Sequence, residues 1–111
     1  MTAKAQSENS FPAIGHEYQV DFGGGNAFTI AFKSDKEMTF TKLQDPNKGQ
    51  IETIYFTQKR IRDGIHMVYW QEANKTTVVH VEDFAEGVVY TNITAPDGSF
   101  FNGSSKLIKV K

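Results

Sequence analysis

From Ile14 onward, apolar and polar residues alternate one by one, and the alternation is broken at short intervals by glycine, proline, asparagine or aspartate. That is the pattern of half-buried antiparallel strands joined by tight turns. It is densest in Ile65 to Thr94, where three extended segments and two turns write a β-meander. A two-residue turn at Asn74-Lys75 predicts Trp70 opposite Val79, Val68 opposite Val81, Glu72 opposite Thr77 and His66 opposite Asp83, all on the inner face. Tyr69 with His80, Gln71 with Val78 and Met67 with Glu82 then fall on the outer face.

The rest of the chain extends this pattern in both directions. Ile14, His16, Tyr18, Val20 and Phe22 form one side of a first strand, which Gly23-Gly24-Gly25 ends in a hairpin turn. Phe28, Ile30 and Phe32 line a second strand, and Met38 and Phe40 a third after a turn at Ser34-Asp35. A loop from Asp45 to Gly49 leads to a fourth strand, from about Gln50 to Arg60. A turn at Arg62-Asp63-Gly64 then pairs Phe56 with Trp70, Ile54 with Glu72 and Arg60 with His66. Ala85-Glu86-Gly87 sets Val81 against Thr91 and Val79 against Ile93, and Pro96-Asp97-Gly98 sets Ile93 against Phe101. The last strand ends near Val110, with a bend at Gly103.

Seven turns between strands predict an all-β fold, an eight-stranded antiparallel up-and-down barrel, since closure removes the sheet edges. A two-sheet sandwich of the same strands is the rival architecture. Residues 1–12 read as a polar N-terminal tail, with Phe11-Pro12 able to plug one end, and residues 13–111 as a single barrel domain.

A chain of 111 residues buries roughly two-thirds of its unfolded surface, enough for one core. It has no cysteine, which excludes disulfides, thiolate nucleophiles and cysteine-ligated zinc. With 12 basic and 13 acidic residues interspersed, a net charge of −1 offers no footprint for nucleic acid or a membrane surface. The polar first residues carry no apolar signal segment, so a cytoplasmic location is expected. The Asn-x-Ser/Thr triplets at Asn74, Asn92 and Asn102 read as incidental in so Asn- and Thr-rich a sequence.

The segment YWQEANKTTVVHVEDFAEGVVYTNITAPDGSFF resembles the C-terminal half of small lipocalin-like (calycin) domains related to molybdenum cofactor biosynthesis protein F, the MoaF-like family. More distantly, it is similar to the phenolic acid decarboxylases. The first resemblance covers most of the chain from Ile14, is tightest from Val68 to Gly103, and implies a calycin barrel with an interior pocket. A pterin-like molecule is among the ligands it suggests. The second rests on an aromatic-Trp-x-Glu segment, which implies a proton-handling role for Glu72 beside Trp70. Where the decarboxylases carry paired tyrosines this chain has Val20 and Phe22, and no arginine stands at the position of their carboxylate anchor.

Glu72 is the candidate catalytic residue, because a carboxylate turned into an apolar interior is desolvated and its raised pKa suits proton transfer near neutrality. The alternative is a solvated carboxylate at the barrel mouth, two residues from a turn. Trp70, Phe56, Phe22, Phe40, Tyr18, Val68 and Val81 are the expected pocket walls. His66 and Arg60 converge with Asp83 at the opposite mouth as further ligand contacts. No metal site is expected there, because His16 is on a distant strand and His80 faces outward, which leaves too few ligands for a catalytic zinc. Ile65, Met67, Tyr69 and Val78 on the outer face form an apolar patch suited to a homodimer.

These readings converge on a binding barrel for a small apolar or aromatic ligand, with no cofactor. Two alternatives remain: a cofactor-independent lyase or isomerase using Glu72, and a filled barrel that serves as a homodimeric or partner-binding structural module.

Overall fold

The computed structural model describes residues 11–111, and residues 1–10 of the predicted tail lie outside it. The described chain is all-β. Its strands are β1 (Glu17–Asp21), β2 (Ala27–Phe32), β3 (Glu37–Lys42), β4 (Ile51–Tyr55), β5 (Thr57–Arg62), β6 (Ile65–Gln71), β7 (Thr77–Asp83), β8 (Val88–Thr94), β9 (Phe100–Lys106) and β10 (Ile108–Lys109). They form two antiparallel five-stranded sheets, ordered β10-β1-β2-β3-β4 and β5-β6-β7-β8-β9.

The single eight-stranded ladder is thus corrected to ten strands in two sheets, for a local reason. The fourth predicted strand breaks at Phe56 and the last one breaks at Leu107. Both side chains are buried. At each corner the amide makes the last bond of the ladder that ends there: Phe56 N–H donates to Lys36 O, one pair beyond Glu37 and Tyr55, and Leu107 N–H to Gly87 O, one pair beyond Val88 and Lys106, each at 2.8 Å. The chain changes sheet at each corner. Where β1 runs beside β9, a side chain replaces the backbone ladder, with Asp21 N–H donating to Ser105 Oγ at 2.8 Å.

The registers predicted at the turns before β6 and β9 hold, and those on either side of β7 do not. Ile30 sits opposite Phe40, Phe32 opposite Met38, Arg60 opposite His66 and Ile93 opposite Phe101. The triple glycine is a turn, with Asn26 N–H bonded to Gly23 O and all three glycines at positive φ. Ile14 is a correction: residues 12–15 form turns, β1 starts at Glu17, and the Ile14 side chain is exposed.

The largest correction is β7. Trp70 faces Val78, Val68 faces His80 and His66 faces Glu82, one residue out of the predicted register. The β6–β7 connection is a three-residue loop, Ala73-Asn74-Lys75, closed by Glu72 N–H to Thr76 O, with Lys75 left-handed at φ 79°. The β7–β8 connection is longer than predicted by a similar slip, since Asp83 pairs with Val88. The two slips cancel, so β8 keeps its predicted face while β7 alone is turned over. Val78, His80 and Glu82 therefore point inward and are buried, while Val79 and Val81 face out.

The space between the sheets is packed solid at one end. Phe11 is buried among Phe32, Phe56, His66 and Phe84, with ring centroids 5.1 to 5.7 Å apart, so it closes this end as the predicted plug. Tyr18 packs edge-on against Phe32 and tilted against Phe84.

Candidate functional site

The other end of the interior is open. A cavity of about 270 Å³ lies there, walled by aromatic residues from both sheets: Phe22 just after β1, Phe28 of β2, Phe40 of β3 and Trp70 of β6. These positions alternate along their strands with outward-facing polar residues, which is why the sequence directs them inside. The loops at this end contribute Asn26, Asn47, Gln50 and Asn74, so the mouth is polar.

Trp70 organises one wall. Its Nε1–H donates to Glu72 Oε2 at 3.2 Å, and its ring meets His80 edge-on at a centroid distance of 4.9 Å. Burial pushes the Glu72 carboxyl above its ordinary pKa; the Trp70 hydrogen bond pulls it back, and the negative charge of Glu52 pushes it further up. Glu52 also lines the cavity and accepts the Ala73 N–H at 3.1 Å. Lys42 on β3 adds a cation to the same space.

A further polar group on the cavity wall is His80. Its Nδ1 is 3.0 Å from Glu82 Oε2, and both side chains are almost wholly enclosed, at 3% and 1% exposure. A carboxylate can only accept, so Nδ1 carries the proton and Nε2 is the nitrogen left for other partners. Glu82 stands behind His80 at the boundary with the packed end, and its charge adds to burial in raising the pKa of Tyr18. Glu82 Oε1 and Thr91 Oγ1, the latter on the residue paired with His80, are buried with no hydrogen-bond partner among the described residues.

Of the residues singled out from the sequence, Glu72, Trp70, Phe22 and Phe40 come together at this cavity. Phe56, Tyr18, Val68 and His66 are buried but do not line it. Val81 is on the outer face because β7 is turned over, and Arg60 is exposed. His66 does not meet Asp83. Its Nδ1–H donates to Gln58 Oε1 at 2.8 Å, while Asp83 caps the next turn by accepting the Ala85 and Glu86 N–H groups. Burial and the nearby Arg60 charge lower the His66 pKa, against a smaller opposing effect of Asp63.

His80 and Glu82, which the sequence reading put on the outer face, and Lys42, which it did not single out, are the site residues it missed. His80 and Glu82 were hidden by the β7 register, for which Lys75 in a left-handed position gave no glycine signal. Among the described residues, no group of three or more His, Cys, Asp or Glu side chains could hold a metal ion, and no helix is long and apolar enough to cross a membrane.

Comparison with known proteins agrees with this architecture. A solved protein from Burkholderia vietnamiensis, described only provisionally as a beta-lactamase, superposes with a TM-score of 0.83 and 27% sequence identity, over 92% of this chain and 99% of its own. No curated protein matches the sequence. The MoaF-like family matches residues 14–108, nearly the whole described chain, and the protein belongs to that family.

Proposed function

We propose that the protein binds a small, partly apolar, aromatic molecule in the cavity between its two sheets, which together act as a calycin-like barrel. The observation that carries this reading is a cavity of about 270 Å³ walled by Trp70, Phe22 and Phe40 with Glu72 at its polar side. That volume is near the lower end for small-molecule sites and suits a ligand of one or two rings. Aromatic walls hold the rings, while Glu72 and the polar mouth set orientation. Titration of aromatic carboxylates and pterins against the emission of the single tryptophan tests it. Saturable quenching, weakened in Phe40→Ala, is expected; emission unchanged by every ligand would overturn the reading.

A second reading, proton transfer by Glu72 in a cofactor-independent lyase or isomerase, is supported by the desolvated setting of that carboxyl. Hydrolysis of β-lactams has less support. No serine in the sequence stands three residues before a lysine, and the described residues offer no metal-binding group. The outer face of the second sheet sets Met67 beside Val81 and Tyr69 beside Val79, with Tyr90 paired to Val81, which favours self-association there. Sedimentation velocity tests this, and a monomer at all concentrations would remove it.

A further inference from the structure

We propose that the cavity is a proton-transfer site in which His80, oriented by Glu82, is the base and Glu72 the acid, acting on a small aromatic 2-oxo acid to interconvert its keto and enol forms. This rests on the ligand-binding reading above and names its substrate class and chemistry.

The base follows from geometry. Glu82 fixes the His80 tautomer through the 3.0 Å contact to Nδ1, and His80 lines the cavity while Glu82 does not. With Nδ1 held by Glu82, Nε2 is the ring nitrogen of this cavity-lining histidine left for a ligand, and it has no hydrogen-bond partner among the described residues. A buried pair that serves only packing is typically replaceable by apolar residues without loss of stability. This one also leaves Glu82 Oε1 unsatisfied in the core, a cost that orienting a base for a ligand would explain. The acid stands beside the same indole, since the Trp70 ring packs T-shaped with His80 and its Nε1–H donates to Glu72. Two titratable groups in different environments flanking one aromatic wall are the arrangement that acid and base roles require.

The substrate class follows from the remaining lining. Trp70, Phe22 and Phe40 receive an aryl ring, and Lys42, which forms no ion pair among the described residues, receives a carboxylate. In the forward step His80 Nε2 takes a proton from C3, the C–H electron pair becomes the C2=C3 bond, and the carbonyl oxygen takes the Glu72 proton to become the enol hydroxyl. Solvent at the mouth removes the proton from His80 and returns one to Glu72. The net change is ketone to enol, with no co-reactant.

Phenylpyruvate in D2O provides the test, with C3 proton exchange followed by NMR and binding followed by Trp70 emission. The full chain is expected to accelerate exchange about a hundredfold over buffer. His80→Gln should fall to the buffer rate, and Glu72→Gln should lose most of the acceleration while its circular dichroism is unchanged. As a positioning residue, Glu82 is expected to affect kcat about tenfold in Glu82→Gln with KM unchanged, a split that a general loss of packing would not give. Saturable quenching without faster exchange would overturn this inference and leave the binding reading standing. Undiminished exchange in His80→Gln would also overturn it. Should His80→Gln fail to fold, Glu72→Gln decides, and full activity there overturns the acid–base pair. If phenylpyruvate neither binds nor exchanges, the inference falls, and the binding reading then depends on the pterins and other aromatic carboxylates.

Discussion

The two ends of the intersheet space are built from similar side chains and reach opposite outcomes. At one end Phe11, Phe32, Phe56 and Phe84 interlock; at the other Phe22, Phe28, Phe40 and Trp70 stand around a void. The strands bring Tyr18 and Phe32 to the packed end and Phe28, Phe40 and Trp70 to the open one, so they do not favour the packed end. What differs is the connecting segments: the turn after Phe11 and the β7–β8 loop each send a phenylalanine inward, whereas the loops at the open end send Asn26, Asn47, Gln50 and Asn74. Strands set the width of such an interior, and loops decide whether it is filled.

The strongest way to break this contrast is to remove the plug. Phe11→Ala is expected to cost about 3–5 kcal/mol, read as a lower urea midpoint, with ligand quenching of Trp70 unaltered because the loss is at the far end. Phe40→Ala reverses the balance. Its ring is only partly buried at the cavity wall, so about 1–2 kcal/mol of stability is expected to go while aromatic-ligand affinity falls. Equal stability losses from the two variants would show that the ends are packed alike.

Protonation distinguishes the ends more finely. At the packed end the lowered His66 pKa means that the unfolded chain takes up the proton first. The stabilising contribution is therefore full above the ordinary value of 6.5 and is lost as pH falls below it toward the folded value. His66→Gln is expected to flatten that limb of the stability–pH curve. At the open end the sign is opposite. Glu72 has a raised pKa, so its favourable contribution is full below the ordinary 4.5 and is lost as pH rises through the folded value. Glu72→Gln should thus match or exceed the wild type near neutrality, and its relative stability should decline toward pH 4.5. Arg60→Ala, exposed beside His66 and remote from the cavity, is expected to move stability by less than about 0.5 kcal/mol and binding not at all.

The alternation of Val20, Ile30, Met38, Ile54, Val68 and Trp70 was enough to give strands, most faces and two of the four registers drawn from turns, and with them four of the cavity groups. Two things were not legible. The corners at Phe56 and Leu107 are single buried residues within continuous alternation, so nothing local announces a change of sheet. The β7 face was misread because Val79 and Val81 make the outer side of that strand look more apolar than the inner side, which carries His80 and Glu82. In a half-buried strand, hydrophobicity picks the core face unless buried polar groups occupy it. Here that exception coincides with the proposed chemistry.

The pairing of β10 with β1 has a kinetic consequence. Tyr18 lies against Lys109 and Gln19 against Ile108, which joins nearly the most distant segments of the chain, and Glu17 N–H reaches the Lys111 carbonyl at 3.2 Å. Contacts of such sequence separation bear the largest loop-closure entropy in the chain. Until they form, β1 presents a free edge that any extended segment can join. The closing residues therefore act as a clasp on β1, and their arrival withdraws that edge from exchange with another molecule.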